Sequence, residues 1–224
     1  MITAGIDVGA KFVKVVVLKD GEILERAKAL VGFDVLKSAS DLFESTLKKT
    51  GLSRNDIKRV VATGMGRETV HGKPSVNAEE VVSEVVADAK GAFRLVPTVK
   101  TVIDVGAEEG RGVKVGPNGT VRDFVINERC AAGAGTFVEA MARALEVRVE
   151  DMGPLALKST QVIPMNAQCC VFAESEVVTL IHSKVSKEDV SRAIHDAIAS
   201  RIGSMVLRVG VEKDVVLIGG VALN

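Results

Sequence analysis

A five-residue segment, Ile-Asp-Val-Gly-Ala, occurs twice in this chain of 224 residues, at 6–10 and again at 103–107. Each copy ends an apolar run typical of a buried strand. A segment with β-branched residues and then a glycine-containing turn follows each copy, with Asp20-Gly21 in the first half and Pro117-Asn118-Gly119 in the second. Each copy therefore predicts a strand that ends in Asp-x-Gly and turns back as a hairpin. A turn that recurs in both halves indicates one folding unit used twice.

A second pair of segments supports the duplication. VVATGMG at 60–66 and VVLIGGV at 215–221 both read as an apolar strand that runs into a glycine turn. The interval between them is longer than the first interval, so the second half carries an insertion. Apolar positions at three- and four-residue spacing predict helices between the strands, at 36–50, 79–92, 135–146 and 187–210. We expect two β-β-β-α-β-α domains with mixed sheets, residues 1–98 and 99–224, with a cleft between them.

The aspartate of each repeated turn indicates more than architecture. A duplicated unit can keep its turns for packing alone, but a carboxylate at a strand end is costly to desolvate without a cation or a donor. Two such turns that face each other across a cleft would hold Mg²⁺ and the phosphates of a nucleotide. Asp7 and Asp104 would then take the metal through water, while turn amides bind the phosphate oxygens.

Charge and aromatic content argue against nucleic acid as a partner. Lys and Arg number 29, Asp and Glu also number 29, and seven Phe with no Trp or Tyr leave few rings for stacking on bases. The first residues enter strand-like sequence without a signal-peptide pattern, and no apolar run approaches membrane-spanning length. We expect a soluble cytoplasmic protein with no membrane partner.

The three cysteines, Cys130, Cys169 and Cys170, are too few for a disulfide framework. Cys130 precedes a small-residue loop that opens into a helix, where unpaired amides and the helix dipole favour a thiolate; the other two also precede a helix start. Packing as small buried residues is the simpler interpretation. The spacing fits no zinc pattern, and a four-thiolate iron–sulfur cluster would need two cysteines from each of two chains.

Three motifs in order resemble those of the actin, sugar-kinase and heat-shock-chaperone ATPase superfamily: GIDVGAKFVK at 5–14, IDVGAEEG at 103–110 and VVLIGGVALN at 215–224. The resemblance implies an α/β fold of duplicated ribonuclease H-like (actin-like ATPase) subdomains that bind ATP or ADP with Mg²⁺ in the cleft between them. Glu108 or Glu109 would orient the attacking water. The nucleotide-binding residues would be Gly9, Ala10, Lys11, Lys14, Gly106, Ala107, Gly133, Gly135, Gly219 and Gly220.

The cysteine segments are similar to a narrower family, the BadF/BadG/BcrA/BcrD type. CAAGAGTF at 130–137 and QCCVFAESE at 168–176 resemble activators of 2-hydroxyacyl-CoA dehydratases and ATPase subunits of benzoyl-CoA reductases. The resemblance implies that each subunit of a dimer gives Cys130 and Cys169 to one shared [4Fe-4S] cluster, while Cys170 does not ligate. It also implies that ATP hydrolysis gates electrons from ferredoxin or flavodoxin to an enzyme that reduces a CoA thioester.

The chain departs from the family pattern at both phosphate turns. Ala10 and Lys11 stand where the family carries Ser and Thr, and Gly-Ala-Glu-Glu at 106–109 replaces Gly-Gly-Gln-Asp. Lys11 would substitute for the lost hydroxyl contacts as a point charge. These changes resemble one of the two unlike ATPase subunits of benzoyl-CoA reductase, which implies a sister subunit rather than an identical chain as the dimer mate. The family continues past Asn224, so a shortened second domain is expected.

Two other functions fit the same motifs. A small-molecule kinase of the superfamily would transfer phosphate to a hydroxyl and use the cysteines for packing. A nucleotide-sensing module would bind ATP without turnover; the altered phosphate turns favour it slightly, and the cysteine segments do not.

Overall fold

The computed structural model describes residues 1–127, 135–165 and 170–224, without the side chains of residues 170 and 171. The chain forms two compact units, Met1–Ala87 and Asp88–Asn224, each built around one mixed sheet. The predicted α/β class is confirmed. No helix within these ranges is long and apolar enough to cross a membrane.

The first unit is a five-stranded sheet with helices, and its strand order is β3-β2-β1-β4-β5. The first three strands form antiparallel hairpins, whereas β4 and β5 run parallel to β1. The elements in chain order are β1 (Ile2–Val8), β2 (Phe12–Lys19), β3 (Glu22–Leu30), α1 (Val35–Thr50), β4 (Arg59–Thr63), α2 (Arg67–Val70) and β5 (Glu80–Val81). Helix α3 (Glu84–Leu95) begins in this unit and continues into the second.

Local sequence signals explain this unit. The β2–β3 turn has positive φ at Asp20 and Gly21, as a tight hairpin requires. Asp34 caps α1 by accepting a hydrogen bond from the Lys37 amide, and Gly51 ends the helix in the left-handed conformation. Alternate valines of β2 are fully buried and pack with the apolar stripe of α1, which includes Phe43.

The second unit is a four-stranded sheet in the order β8-β7-β6-β9, with β9 parallel to β6. Its topology repeats that of the first four strands of the first unit, which confirms the predicted duplication. Its elements are β6 (Thr101–Val105), β7 (Gly110–Val115), β8 (Val121–Asn127), α4 (Gly135–Ala144), α5 (Val149–Ala156), α6 (Cys170–His182), α7 (Lys187–Val206) and β9 (Val215–Ile218).

The inserted helices of the second unit form a core of their own. Phe137 and Met141 of α4, Met152 of α5, Val177 of α6 and Ile194 of α7 are completely buried in one apolar cluster. All four inserted helices contribute to this cluster, so α4 and α6 pack in the same apolar core.

Two of the helix predictions need correction. The segment 79–92 begins as strand β5, and its helix runs from Glu84 to Leu95, because the amide of Val82 bonds Ala62 and extends the sheet pairing. The last long helix ends at Val206 and continues as a 3-10 turn to Val209. The short helix α2 and helix α5, which contains Pro154, were not predicted.

Candidate functional site

The first repeated turn joins β1 to β2 and fixes a carboxylate–ammonium pair. The hairpin register sets Asp7 directly opposite Lys14. The Lys14 Nζ lies 2.5 Å from Asp7 Oδ2, and the Asp7 and Lys14 side chains are 30% and 55% exposed. The Gly9 amide donates to the Phe12 carbonyl and closes the turn at 3.1 Å. A Cβ at Gly9 would lie 3.0 Å from the Phe12 carbonyl and 3.6 Å from Asp7 Oδ1, so glycine lets the turn close tightly beside this pair.

The second repeated turn joins β6 to β7 in the same register. Asp104 stands opposite Arg111, and Arg111 Nη1 lies 2.5 Å from Asp104 Oδ2. The Gly106 amide donates to the Glu109 carbonyl at 2.9 Å and closes the turn as Gly9 does. The repeat therefore preserves a basic partner seven residues after each aspartate, together with the turn itself.

The two ion pairs differ in their exposure to solvent. The side chains of Arg111 and Asp104 are only 7% and 10% exposed. Arg111 Nη2 also donates to Glu109 at 2.8 Å, and Asp88 lies 3.9 Å from Nη1. A buried carboxylate with a buried guanidinium resists separation because either ion alone would be desolvated without a partner. Asp7 is therefore the carboxylate more available to an incoming cation.

Next to each hairpin, a glycine that follows the neighbouring parallel strand packs closely against the aspartate. Gly64 follows β4 and Gly219 follows β9, and both have a φ of 92°. A Cβ at Gly64 would collide with Asp7 Oδ1 and the Val8 carbonyl. A Cβ at Gly219 would collide with Asp104 Oδ1 and the Val105 carbonyl in the same way. Gly219, predicted to admit adenosine, thus has a reason to be glycine within the unit itself.

The centres of both turns offer amide groups to a ligand. Within the described residues, the amides of Ala10, Ala107 and Glu108 donate no hydrogen bond. Amides of consecutive turn residues make concave sites that suit phosphate oxygens. In the first unit, the Ala10 amide and the partly exposed Asp7 carboxylate suit a metal-bound phosphate. In the second unit, the amides of Ala107 and Glu108 suit phosphate oxygens, and the Gly220 α-carbon faces open space.

The other predicted contact residues lie around these turns. The Lys11 ammonium lies 5.8 Å from the centre of the Phe12 ring, and the Lys11 carbonyl accepts from the Val31 amide. Glu109 is held by Arg111, as described above. Glu108 is exposed and makes no hydrogen bond or ion pair in the described part of the chain. Of the two glutamates, Glu108 has the carboxylate that is not already engaged.

Gly135 lies at the second turn, where its amide donates to the Gly106 carbonyl. The next residue, Thr136, also bonds this turn, and the sequence analysis did not select it. Its position at the start of the predicted helix 135–146, where Thr side chains often bond backbone groups, was the signal for this contact.

Cys130, Gly133 and Cys169 lie outside the described residues. Cys170 is the first residue of α6. In the three described ranges, no group of three or more His, Cys, Asp or Glu side chains is arranged to hold a metal ion.

Comparisons with known proteins extend over the whole chain. The family model described as the BadF/BadG/BcrA/BcrD ATPase family matches residues 4–224. The (R)-2-hydroxyglutaryl-CoA dehydratase activating ATPase of Acidaminococcus fermentans is 40% identical over 99% of this chain and 84% of its own length.

Two solved structures share the fold. The crystal structure of (R)-2-hydroxyglutaryl-CoA dehydratase component A from Acidaminococcus fermentans has a TM-score of 0.93 and 38% identity, covering this whole chain and 84% of that chain. The activator of the 2-hydroxyisocaproyl-CoA dehydratase from Clostridium difficile, solved with bound ADPNP, has a TM-score of 0.90 and 36% identity. It covers this whole chain and 82% of that chain.

Proposed function

This chain belongs to the BadF/BadG/BcrA/BcrD ATPase family, and from that membership we propose that it hydrolyses MgATP to activate an enzyme that acts on a CoA thioester. The relatives described above include activators of two such dehydratases, one of them solved with an ATP analogue. Their similarity to this chain supports a nucleotide as the ligand of the two turns and a dehydratase as the partner. A benzoyl-CoA reductase stays the alternative partner, because of the Ala10 and Glu108–Glu109 departures.

One observation carries the nucleotide part of the proposal. Two hairpins hold an aspartate between a basic residue of the next strand and a positive-φ glycine, and the amides of Ala10, Ala107 and Glu108 donate no hydrogen bond within the described residues. Bound Mg²⁺ would neutralise phosphate charge and orient the phosphates. Asp7 would hold the metal or its waters, while Asp104 would keep Arg111 and the second turn in position.

Glu108 would orient the attacking water. A general base needs an acceptor within reach of that water, and a carboxylate already bound to a buried guanidinium is a weaker acceptor. Glu109 bonds Arg111, so Glu108 is the better of the two glutamates for this role. Lys14 would approach the phosphates as a point charge once Asp7 turns to the metal.

The finer proposal concerns electron delivery. Cys130 and Cys169 of two chains would hold one [4Fe-4S] cluster, which would supply a low-potential one-electron carrier. The two cysteine segments and the family membership support this assignment. Ferredoxin or flavodoxin would be the donor, and the second chain would be an identical or a sister subunit.

Phosphate release from MgATP, measured with and without a candidate dehydratase, tests the ATPase. We expect Asp7→Asn to lower the rate by about tenfold or more, because metal–phosphate stabilisation contributes several kcal/mol to such reactions. Asp41→Asn is the matched control, since Asp41 also pairs with a lysine, Lys37, on the exposed face of α1. It should leave the rate unchanged.

Two outcomes of this experiment would contradict the proposal. Transfer of phosphate to an added hydroxyl compound without release to water would identify a kinase. Tight ATP binding with no turnover, even with the dehydratase present, would identify a nucleotide-sensing module.

A further inference from the structure

The start of α4 is bonded to the second phosphate turn. The Gly135 amide donates to the Gly106 carbonyl at 2.8 Å, and the Thr136 amide donates to the Ala107 carbonyl at 2.9 Å. The Thr136 hydroxyl donates to the same Ala107 oxygen, also at 2.9 Å. The first amides of a helix lack partners within the helix, so here the turn supplies them.

The equivalent helix of the first unit is capped differently. The Asp34 side chain, just before α1, accepts from the Lys37 amide, so α1 satisfies its own first turn. The bond between helix and turn is therefore a feature of the second half and not of the repeated unit.

Packing leaves little freedom at this junction. A Cβ at Gly135 would lie 3.2 Å from the Gly106 carbonyl and 3.3 Å from Val221, which belongs to the predicted adenosine segment. Phe137, the residue after Thr136, is completely buried in the helical core with Met141. The start of α4 is thus confined between the turn, the 219–224 segment and the core.

We propose that Thr136 is a positioning residue that joins the second phosphate turn to α4, an inference that rests on the proposed ATPase function. Gly135 and Thr136 donate to the carbonyls of Gly106 and Ala107 and so fix the backbone of the turn. The amides of Ala107 and Glu108, which donate no hydrogen bond within the described residues, then bind the phosphates. The positive end of the α4 dipole adds to the attraction for anions.

The same bonds make α4 follow any shift of the turn. The segment that contains Cys130 immediately precedes α4, and the segment that contains Cys169 immediately precedes α6. Because α4 and α6 share one apolar core, a displacement of the start of α4 also displaces α6. The Thr136 hydroxyl, which donates to the Ala107 carbonyl, is the side-chain contact that connects the second turn to this helix.

Hydrogen exchange and nucleotide binding test the proposal on the full chain. Thr136→Val keeps the shape and the amide bond but removes the hydroxyl, whereas Thr136→Ser keeps the hydroxyl. We expect Thr136→Val to raise the Kd for ADP about fivefold, as the loss of one hydrogen bond predicts. Thr136→Ser should stay within about twofold of the wild type. Thr50→Val is the matched control, because the Thr50 hydroxyl bonds only its own helix at Leu47.

Exchange without nucleotide tests the junction separately. In the absence of ligand, the amides of 135–137 should exchange about fivefold faster in Thr136→Val than in the wild type or Thr136→Ser. With ADP, protection should extend into α4 and α6 in the wild type and shrink in Thr136→Val.

The outcomes separate this inference from the proposed function. Equal exchange and equal ADP affinity in the Val and Ser variants would overturn the role of Thr136, even if the wild type hydrolyses ATP. Protection of the turn by ADP that never reaches α4 in the wild type would overturn the coupling. A wild type that binds no ADP would overturn the proposed function and, with it, the nucleotide part of this inference, while the ligand-free exchange would still decide the junction.

Discussion

Lys14 and Arg111 occupy equivalent positions in the two hairpins, but their surroundings give the same ion pair two different energies. The Lys14–Asp7 pair lies near the surface, where solvent weakens the attraction. Arg111 is buried with Asp104 and also bonds Glu109. The first pair is suited to exchange with a ligand, and the second pair is suited to hold a turn in place.

Substitution of the two basic residues tests this difference. Arg111→Met should lower the free energy of unfolding by about 3–5 kcal/mol, because it leaves the buried Asp104 carboxylate without its cation. Lys14→Met, the matched control, should cost only about 0–1 kcal/mol. Urea unfolding monitored by circular dichroism gives both values. Equal losses would mean that burial does not distinguish the two hairpins.

At this scale the sequence predicted the aspartates and the turn glycines but not the ion pairs. A hairpin with a two-residue turn sets residues seven apart opposite each other, so the partners of Asp7 and Asp104 could have been read from the sequence. The burial of Arg111 could not be predicted from the sequence, because it depends on Asp88, which belongs to a helix that precedes the strand in the chain.

The helices of the insertion are fixed by polar contacts at their ends as much as by their apolar faces. Ser186 caps α7 by accepting from the Asp189 amide. The Asp189 carboxylate in turn accepts from the hydroxyls of Ser186 and Ser159 and from the amides of Thr160 and Gln161. One buried side chain thus joins the start of α7 to the segment that follows α5.

These hydrogen bonds give a prediction about pH. Hydrogen bonds from Ser186 and Ser159 lower the pKa of Asp189 from 3.8 to about 2. A lowered folded-state pKa stabilises the fold above the unfolded value, and the stabilisation is lost as the pH falls through the folded value. Asp189→Asn should therefore be less stable than the wild type at pH 7, and the gap should close between pH 3.8 and about 2.

Urea unfolding at a series of pH values measures this gap. Asp196→Asn serves as the control, because Asp196 is an exposed residue of the same helix that pairs with Arg192. A gap of constant size down to pH 2 would contradict the assigned hydrogen bonds.

At the scale of elements, periodicity predicted the long helices well and failed where tertiary contacts decide. Residues 79–83 have helical spacing, yet the Glu79 carboxylate bonds the Val60 amide and Arg54, and this part joins the sheet. Helix α5 contains Pro154, a residue that disfavours a helix interior, although Glu150 and Asp151 in its first turn favour a helix.

The whole molecule is a duplication with one asymmetry. Both units repeat a hairpin, an aspartate with its basic partner and a strand with a positive-φ glycine. The repeated five-residue segment predicted the hairpins and their aspartates, and the segments 60–66 and 215–221 predicted the strands that end in glycine. The second unit alone inserts the helical core between β8 and β9 and bonds α4 to the phosphate turn. The sequence located the insertion through the unequal intervals but gave no sign of that bond, since backbone hydrogen bonds carry no residue signature.

The asymmetry makes sense if the second unit connects nucleotide chemistry with the cysteines that flank α4 and α6. The central claim is therefore that an ATPase of this family carries a redox centre on Cys130 and Cys169. Nucleotide binding alone would leave packing as the role of these cysteines.

Iron and acid-labile sulfide in protein purified without oxygen test this claim most directly. We predict iron and sulfide in equal amounts, about two of each per chain, as expected for one [4Fe-4S] cluster shared by two chains. Cys130→Ala and Cys169→Ala should abolish both, whereas Cys170→Ala, the neighbouring control, should retain them. Anaerobic wild-type protein that is folded, hydrolyses ATP and contains no iron would contradict the account.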